Sequence, residues 1–189
     1  IDTDTVLQPG VYELPDGDDP GVLRITGSDL TLDCNGAQFI GDATGFGLVS
    51  AETSNITVTR CIFTNYLHGL DLNQVTGATV DNVVLNENKG WGMHLIATHD
   101  FLATESMIAD NQNGARLIES QNATLEAMML CPNVETDLEA VDSTDLTGHH
   151  NACDTPITWN DSGVEGCTYT CSGTVGTWQW LYLPLVLTE

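Results

Sequence analysis

The chain has 189 residues, 41% of them apolar but only 6% aromatic, so aliphatic side chains must build the core of what reads as one domain. Its 27 acidic and 4 basic residues give a formal net charge of −23, which repels phosphate backbones and anionic bilayers and argues against both as partners. No apolar run reaches the ~18 residues needed to span a bilayer. Six cysteines and three Asn-x-Ser/Thr sequons, at Asn55, Asn122 and Asn160, point to an oxidising, extracytoplasmic setting.

In chain order, residues 1–24 read as an N-terminal cap, and a start at Ile1 fits a processed chain. Within the cap, PDGDD at 15–19 offers Asp16, Asp18 and Asp19 to a Ca2+ ion. It lacks the spacing of an EF-hand loop, and a solvated turn is the simpler reading. No other cofactor is indicated. Residues 25–135 then repeat. LTLDCNG at 30–36 and GFGLVS at 45–50 are the two blocks of one turn, with Phe46 and Leu48 directed inward. Later rows open at Ile56, Ala78, Phe101 and Ala123, about 22 residues apart. Each has apolar residues in the order apolar-x-apolar-x-x-apolar-x-apolar: Ile56, Val58, Cys61 and Phe63 in the first, Ala123, Leu125, Met128 and Leu130 in the last. Each of the first three rows also carries a second block, HGLDL, WGMHL or NGARL, preceded by an Asn-rich turn.

A short period with alternating strands and Gly/Asn turns marks a solenoid. The Leu-x-x-Leu-x-Leu frame of leucine-rich repeats is missing. The pattern fits an all-β, right-handed parallel β-helix of about five coils, roughly 24 Å long at ~4.8 Å per coil. The asparagines of the turns form a ladder whose amides bond coil to coil. Residues 136–176 read as a Cys-rich extension. Cys34 and Cys61, one coil plus a bulge apart, are expected to meet on adjacent coils, leaving Cys131, Cys153, Cys167 and Cys171 to pair among themselves. Cys167 and Cys171 lack the usual spacing of a zinc knuckle, which favours disulfides. The last segment, 177–189, is strand-like and apolar on both sides, with Trp178, Trp180 and Tyr182 alternating with leucines. Such a stretch must be covered. It folds back along its own coils or lies on a neighbouring subunit as a donated strand.

LTLDCNGAQFIG, the Asn-rich coils after it and the tail from Cys153 to Cys171 resemble secreted right-handed β-helix proteins of the carbohydrate-binding and sugar-hydrolase group, whose cell-surface members are common in archaea. The resemblance covers about residues 20–171. It implies fold and an extracellular or cell-surface location far better than chemistry, because the group includes polysaccharide lyases, epimerases, copper-delivery proteins and inert scaffolds. No His/Met-rich site for copper delivery is present.

WGMHL holds the one candidate site. On a strand, neighbours face opposite ways, so with Met93 and Leu95 inward His94 points out, as do Asp71 in GLDL and Arg116 in GARL. These three are expected to stack on adjacent coils, with Trp91 or Gly92 at the edge of the face. One reading is a carbohydrate site: Trp91 as a plate for a sugar ring, Arg116 for a carboxylate, His94 and Asp71 for protons. The other is a surface ladder that offsets charge between strands. The second acid, or Tyr/Lys partner, that catalysis needs is missing from the set. The leading expectation is therefore a non-catalytic structural or interaction module that self-associates into a surface layer or filament. The alternative is a polysaccharide-binding or -modifying protein. The sequons at Asn55 and Asn122 fall in the same kind of turn as the asparagine ladder, so glycosylation there competes with a structural role.

Overall fold

The structure, a computed structural model, describes residues 1–15 and 21–173. The Asp16, Asp18 and Asp19 cluster and the apolar 177–189 segment lie outside the described residues.

Short strands follow one another round each coil, and each pairs in parallel with its counterpart one period later. Three sheets result. The first has seven strands, Thr5–Val6, Leu30–Asp33, Ile56–Thr59, Thr79–Asp81, Leu102–Thr104, Thr124–Glu126 and Thr147–His149. The second has five, Val11–Glu13, Gln38–Ile40, Ile62–Thr64, Val84–Asn86 and Met107–Ala109. The third has seven, Leu23–Ile25, Phe46–Ala51, His68–Asn73, Trp91–Ile96, Asn113–Ile118, Thr136–Val141 and Pro156–Ile157. The solenoid makes about six turns rather than five. The stack runs on at both ends of the 25–135 repeat, because Thr5–Val6 already pairs with Leu30–Asp33 and Thr136–Val141 with Asn113–Ile118. Among the described residues the only helix is the 3-10 turn Cys171–Gly173.

A register of one residue per period puts like on like inside the coil. Every side chain that the row pattern turns inward, from Ile56 to Leu130, is at most 1% exposed. Leu70, Met93, Ala115 and Leu138 form one such column, and Tyr12, Phe39 and Phe63 stack in another with ring centroids 5.5 and 5.1 Å apart. Each buried aliphatic side chain contributes roughly 1.5–3 kcal/mol.

Phe46 departs from the expected inward position. Its ring lies outside, stacked on His68 at 5.2 Å. The cause is the glycine beside it. A Cβ at Gly47 would sit 2.6 Å from the Gly69 carbonyl oxygen and 2.7 Å from the Phe63 ring. Gly47 thus occupies a corner with no room for a side chain, and both Gly47 and Leu48 are buried. The alternation slips by one residue there, and whatever precedes the glycine is turned out. The same slip recurs at Gly69, Gly92 and Gly114, so His68, Trp91 and Asn113 also begin their strands facing outward.

The asparagine ladder is real and lies inside. Asn88 donates from its backbone N and from Nδ2 to Asn111 Oδ1, at 2.9 and 2.8 Å. Asn111 does the same to Asn133 Oδ1, both at 3.1 Å. Every donation from one asparagine to the next runs the same way along the axis, so the series needs a last member that only accepts. Asp137 supplies it, taking N–H groups from Asn133, Asp154 and Thr155. A second inner column ends likewise. Asn151 donates from N and Nδ2 to Asp161, whose carboxylate also accepts from Trp159 Nε1 and from Thr168.

The three disulfides follow the expected division. Cys34 bonds Cys61 across adjacent coils with Cα atoms 4.8 Å apart, while Cys131 bonds Cys171 and Cys153 bonds Cys167.

Candidate functional site: the outer face of the third sheet

Register places Asp71, His94 and Arg116 directly opposite one another on successive strands, as the alternation predicts. The column continues to Glu139 on the next coil. Glu139 was legible in principle, since LEAV repeats the second block one period after GARL, although no glycine marks it. Val49 precedes Asp71 and Ile157 follows Glu139, so the charged run is four coils long.

Within the run the charges form two pairs rather than one continuous ladder. His94 Nδ1 lies 2.9 Å from Asp71 Oδ2, and Arg116 Nε lies 2.8 Å from Glu139 Oε2. The second contact is ionic, since its angle does not make a hydrogen bond. The column nearer the strand starts is aromatic. Phe46, His68 and His94 stack at 5.2 Å per step, and the Trp91 ring lies 6.4 Å from the His94 ring at 16°. The Arg116 guanidinium sits over Trp91, 5.3 Å from its centroid, a cation–π contact. Trp91 is therefore at the face, but its ring is flanked by Arg116 and stacked with His94. Rings piled along the stack axis turn their faces to each other and their edges to solvent.

His68 Nδ1 accepts the Trp91 backbone N–H at 2.9 Å, which fixes the tautomer with hydrogen on Nε2 when the ring is neutral. Burial, and after it the nearby His94 charge, hold His68 below the usual imidazole range. The glycine slip puts Gly69 inside and His68 at this edge of the face. His94 Nε2 is buried and meets no protein hydrogen-bond partner among the described residues.

The two carboxylates of the face are three inter-coil steps apart, about 14 Å. Glycoside hydrolysis by paired acids works at roughly 5–9.5 Å. Each carboxylate also has its own partner, Asp71 the His94 imidazole and Glu139 the Arg116 guanidinium. The arrangement suits charge pairing and flat polar contact better than proton transfer to a substrate.

The sequon asparagines are exposed. Asn55 Nδ2 donates to Asp29 Oδ1 at 2.7 Å and Asn122 Nδ2 to Asp100 Oδ1 at 2.6 Å, both from left-handed turn positions. Asn160 Oδ1 accepts the Gly166 N–H at 3.0 Å. All three amides thus have structural partners in the non-glycosylated chain. Asn160 also borders an open hollow of about 710 Å³ at the C-terminal end, lined by Pro156, Trp159, Asp161 and Gly166 among others. Its buried carboxylate, Asp161, is saturated by the inner-column bonds, which leaves the exposed Glu165 as the other acidic residue of the lining. No group of three or more His, Cys, Asp or Glu among the described residues could hold a metal ion. No described helix is long and apolar enough to cross a membrane.

No family model matches the sequence, and no curated protein does. Solved structures do match by shape. The pectate lyase Pel9A is 14% identical with a TM-score of 0.57, over 86% of this chain and 48% of that one. Tailspike protein 2 from the Escherichia coli O157:H7 bacteriophage CAB120 is 12% identical with a TM-score of 0.45, over 81% of this chain and 25% of that one. The chain thus spans about half the length of the pectate lyase, and what it shares with that enzyme is the parallel β-helix fold.

Proposed function

We propose that this chain is a non-catalytic structural or interaction module that works outside the cytoplasm, as a subunit of a surface layer or filament assembled end to end. The observation that carries the reading is the internal pairing of the outer face. Asp71 is matched with His94, Arg116 with Glu139, and the Trp91 ring with Arg116 and His94. Groups already matched across coils fasten one coil to the next, and no pair is left poised for acid–base work. Three disulfides suit an oxidising compartment. A net charge of −23 favours solubility and restricts close contact to surfaces that avoid like charge.

A second reading, polysaccharide binding, rests on a specific observation. Trp91, His94 and Arg116 gather on one flat face of a chain with only 4 basic residues. The name of the pectate lyase makes uronate polymers the first ligands to try.

One experiment separates the two. The purified chain and its Trp91→Ala and Arg116→Ala variants are compared on an array of acidic and neutral polysaccharides, with melting temperature and light scattering recorded alongside. The structural reading expects no specific glycan signal, a lowered melting temperature in Arg116→Ala, and particles larger than one chain at high concentration. Specific binding by the wild type that both variants lose at unchanged melting temperature would establish the carbohydrate reading instead.

A further inference from the structure

The outer side of the second sheet differs from every other surface described. Neighbours alternate, so with Phe63, Leu85 and Ile108 inside, the residues before them face out. Register stacks those residues as Ile62, Val84, Met107 and Met129, an apolar stripe that crosses four coils. The adjoining outward column contains Ile40, Thr64, Asn86 and Ala109. In the five strands of this sheet the only charged residue is Glu13, at the first-coil end. A chain with 27 acidic residues has left four of the five strands of this sheet uncharged and largely apolar.

At its far end this face leads to the chain's own C-terminal segment. Cys131 follows Met129 as Ala109 follows Met107, which puts it at the end of the outward column, and its disulfide holds Cys171 there. Beyond Gly173 come sixteen residues, 174–189, in which Trp178, Trp180, Leu181, Tyr182, Leu183 and Leu185 are apolar and Glu189 is the only charge. Extended, they reach about 53 Å at ~3.3 Å per residue, while the stripe from the Met129 coil back to the Val11 coil is roughly 24 Å long. An uncharged apolar face and an uncharged apolar segment are thus joined by a short tether.

We propose that residues 177–188 lie across the outer face of the second sheet of their own chain and cover Ile62, Val84, Met107 and Met129. The tether decides for the chain's own face over a neighbour's. Covalent attachment close to the face, through the Cys131–Cys171 disulfide, gives an effective local concentration on the order of millimolar, above any ordinary concentration of a second copy. Both surfaces are removed from water together, which satisfies the demand that each makes separately. The segment is then a cover for the fold, and assembly is left to the ends of the solenoid.

The four methionines supply the test. Met93 and Met128 are buried inside the coil and report on the fold, while Met107 and Met129 lie on the stripe. The full chain is exposed to hydrogen peroxide, and oxidation of each methionine is followed by mass spectrometry. It is compared with a variant carrying Trp178→Ser, Trp180→Ser, Leu183→Ser and Leu185→Ser. The expected result is slow oxidation of Met107 and Met129 in the full chain, severalfold faster oxidation in the variant, and slow oxidation of Met93 and Met128 in both. Fast oxidation of Met107 and Met129 in the unaltered chain overturns the proposal, as does protection that survives in the variant or fades on dilution.

A second measurement stands even if the variant misfolds. The unaltered chain is grown with photoactivatable methionine from a mixture of light and heavy isotopes, then irradiated. Cross-links from positions 107 and 129 to residues 177–188 within one isotopic species support the cover. Mixed light–heavy links assign the segment to a second copy, and their prevalence, or the absence of any link to 177–188, overturns the proposal.

Discussion

The outer faces of the second and third sheets are built on the same coils, at the same register, over the same continuous core, and their chemistry is opposite. The third carries His68, Trp91, Asp71, His94, Arg116 and Glu139, with acidic and basic side chains matched across neighbouring strands. The second carries Ile62, Val84, Met107 and Met129 and almost no charge. In a solenoid the inward columns set the fold, so each outer face is free to follow its surroundings. A charged, internally paired face is adapted to water. An uncharged apolar face in so acidic a chain is adapted to being covered.

The largest effect should come from breaking what both faces share. Asn111→Ala removes the acceptor for two buried donors of Asn88 and the donor to Asn133. Each buried donor left without a partner costs about 1–3 kcal/mol, so urea melting should show a loss of roughly 3–5 kcal/mol. Hydrogen exchange should rise in both sheets of the coils on either side. Rise in one sheet only would mean that the faces are held separately.

A smaller loss is expected at the end of the other inner column. Burial would raise the Asp161 carboxyl, but hydrogen bonds from Asn151, Thr168 and Trp159 outweigh it and hold the group below its ordinary value. A carboxyl lowered in the folded state contributes stability that is complete above its unfolded value, about 3.9. That contribution disappears as pH falls through the lower folded value. Asp161→Asn should therefore destabilise the chain at neutral pH, by about 2 kcal/mol for strong bonds to a charge, and flatten its acid-unfolding profile below about pH 4. A variant whose loss is the same at pH 3 and pH 7 would show that charge at this cap is irrelevant.

The comparison of faces is sharpened by exchanging their chemistry. Val84→Asp puts a carboxylate in the middle of the apolar stripe, where Val84 is 8% exposed between Ile62 and Met107. An unpartnered polar group there costs roughly 1–3 kcal/mol. Asp71→Val, the reverse exchange on the third sheet, removes one partner of a partly buried pair at the protein surface, of a kind worth about 0–1 kcal/mol. Chemical melts of the two variants should therefore differ by about 1.5 kcal/mol, the separation between the midpoints of those ranges. Equal losses would mean that the second sheet's outer face is as wet as the third's.

These faces were unequally legible in the sequence. The 22-residue period and the inward positions could be read because core packing restricts those sites to apolar residues, and Asp71, His94 and Arg116 followed from alternation alone. Phe46 was misplaced because the glycine slip depends on how closely the next coil approaches, which no local pattern encodes. Glu139 escaped because its block has Asp137 where the earlier ones have glycine, a change made by the end of the asparagine ladder. The turns were hidden for a different reason. Glu52, Gln74, Ala97, Glu119 and Asp142 form one left-handed column with no shared side chain. Backbone bonds to the next coil, such as Glu52 N to the Asn73 carbonyl and Ala97 N to the Ile118 carbonyl, hold residues there that would otherwise avoid that conformation.

The smallest expected effect is a pH slope confined to the third sheet. Burial and the neighbouring His94 charge keep His68 neutral to a lower pH than the unfolded chain would, whose imidazole titrates near 6.5. Between those two values the unfolded chain binds the proton and the folded chain does not, so stability falls as pH is lowered through that window. Geometry gives the same sign. Protonation at Nδ1 would turn the acceptor of the Trp91 N–H into a donor and break that bond. The size is limited by exposure, and a few tenths of a kcal/mol to about 1 kcal/mol is the scale for one shifted histidine. Thermal melts from pH 7.5 to 5 should show the decline in the wild type and a flatter profile in His68→Asn. NMR should find the His68 ring titrating below the usual imidazole range. A His68 that titrates at or above that range would mean that the stacked rings of this face are open to water and to ligands, as the polysaccharide reading requires.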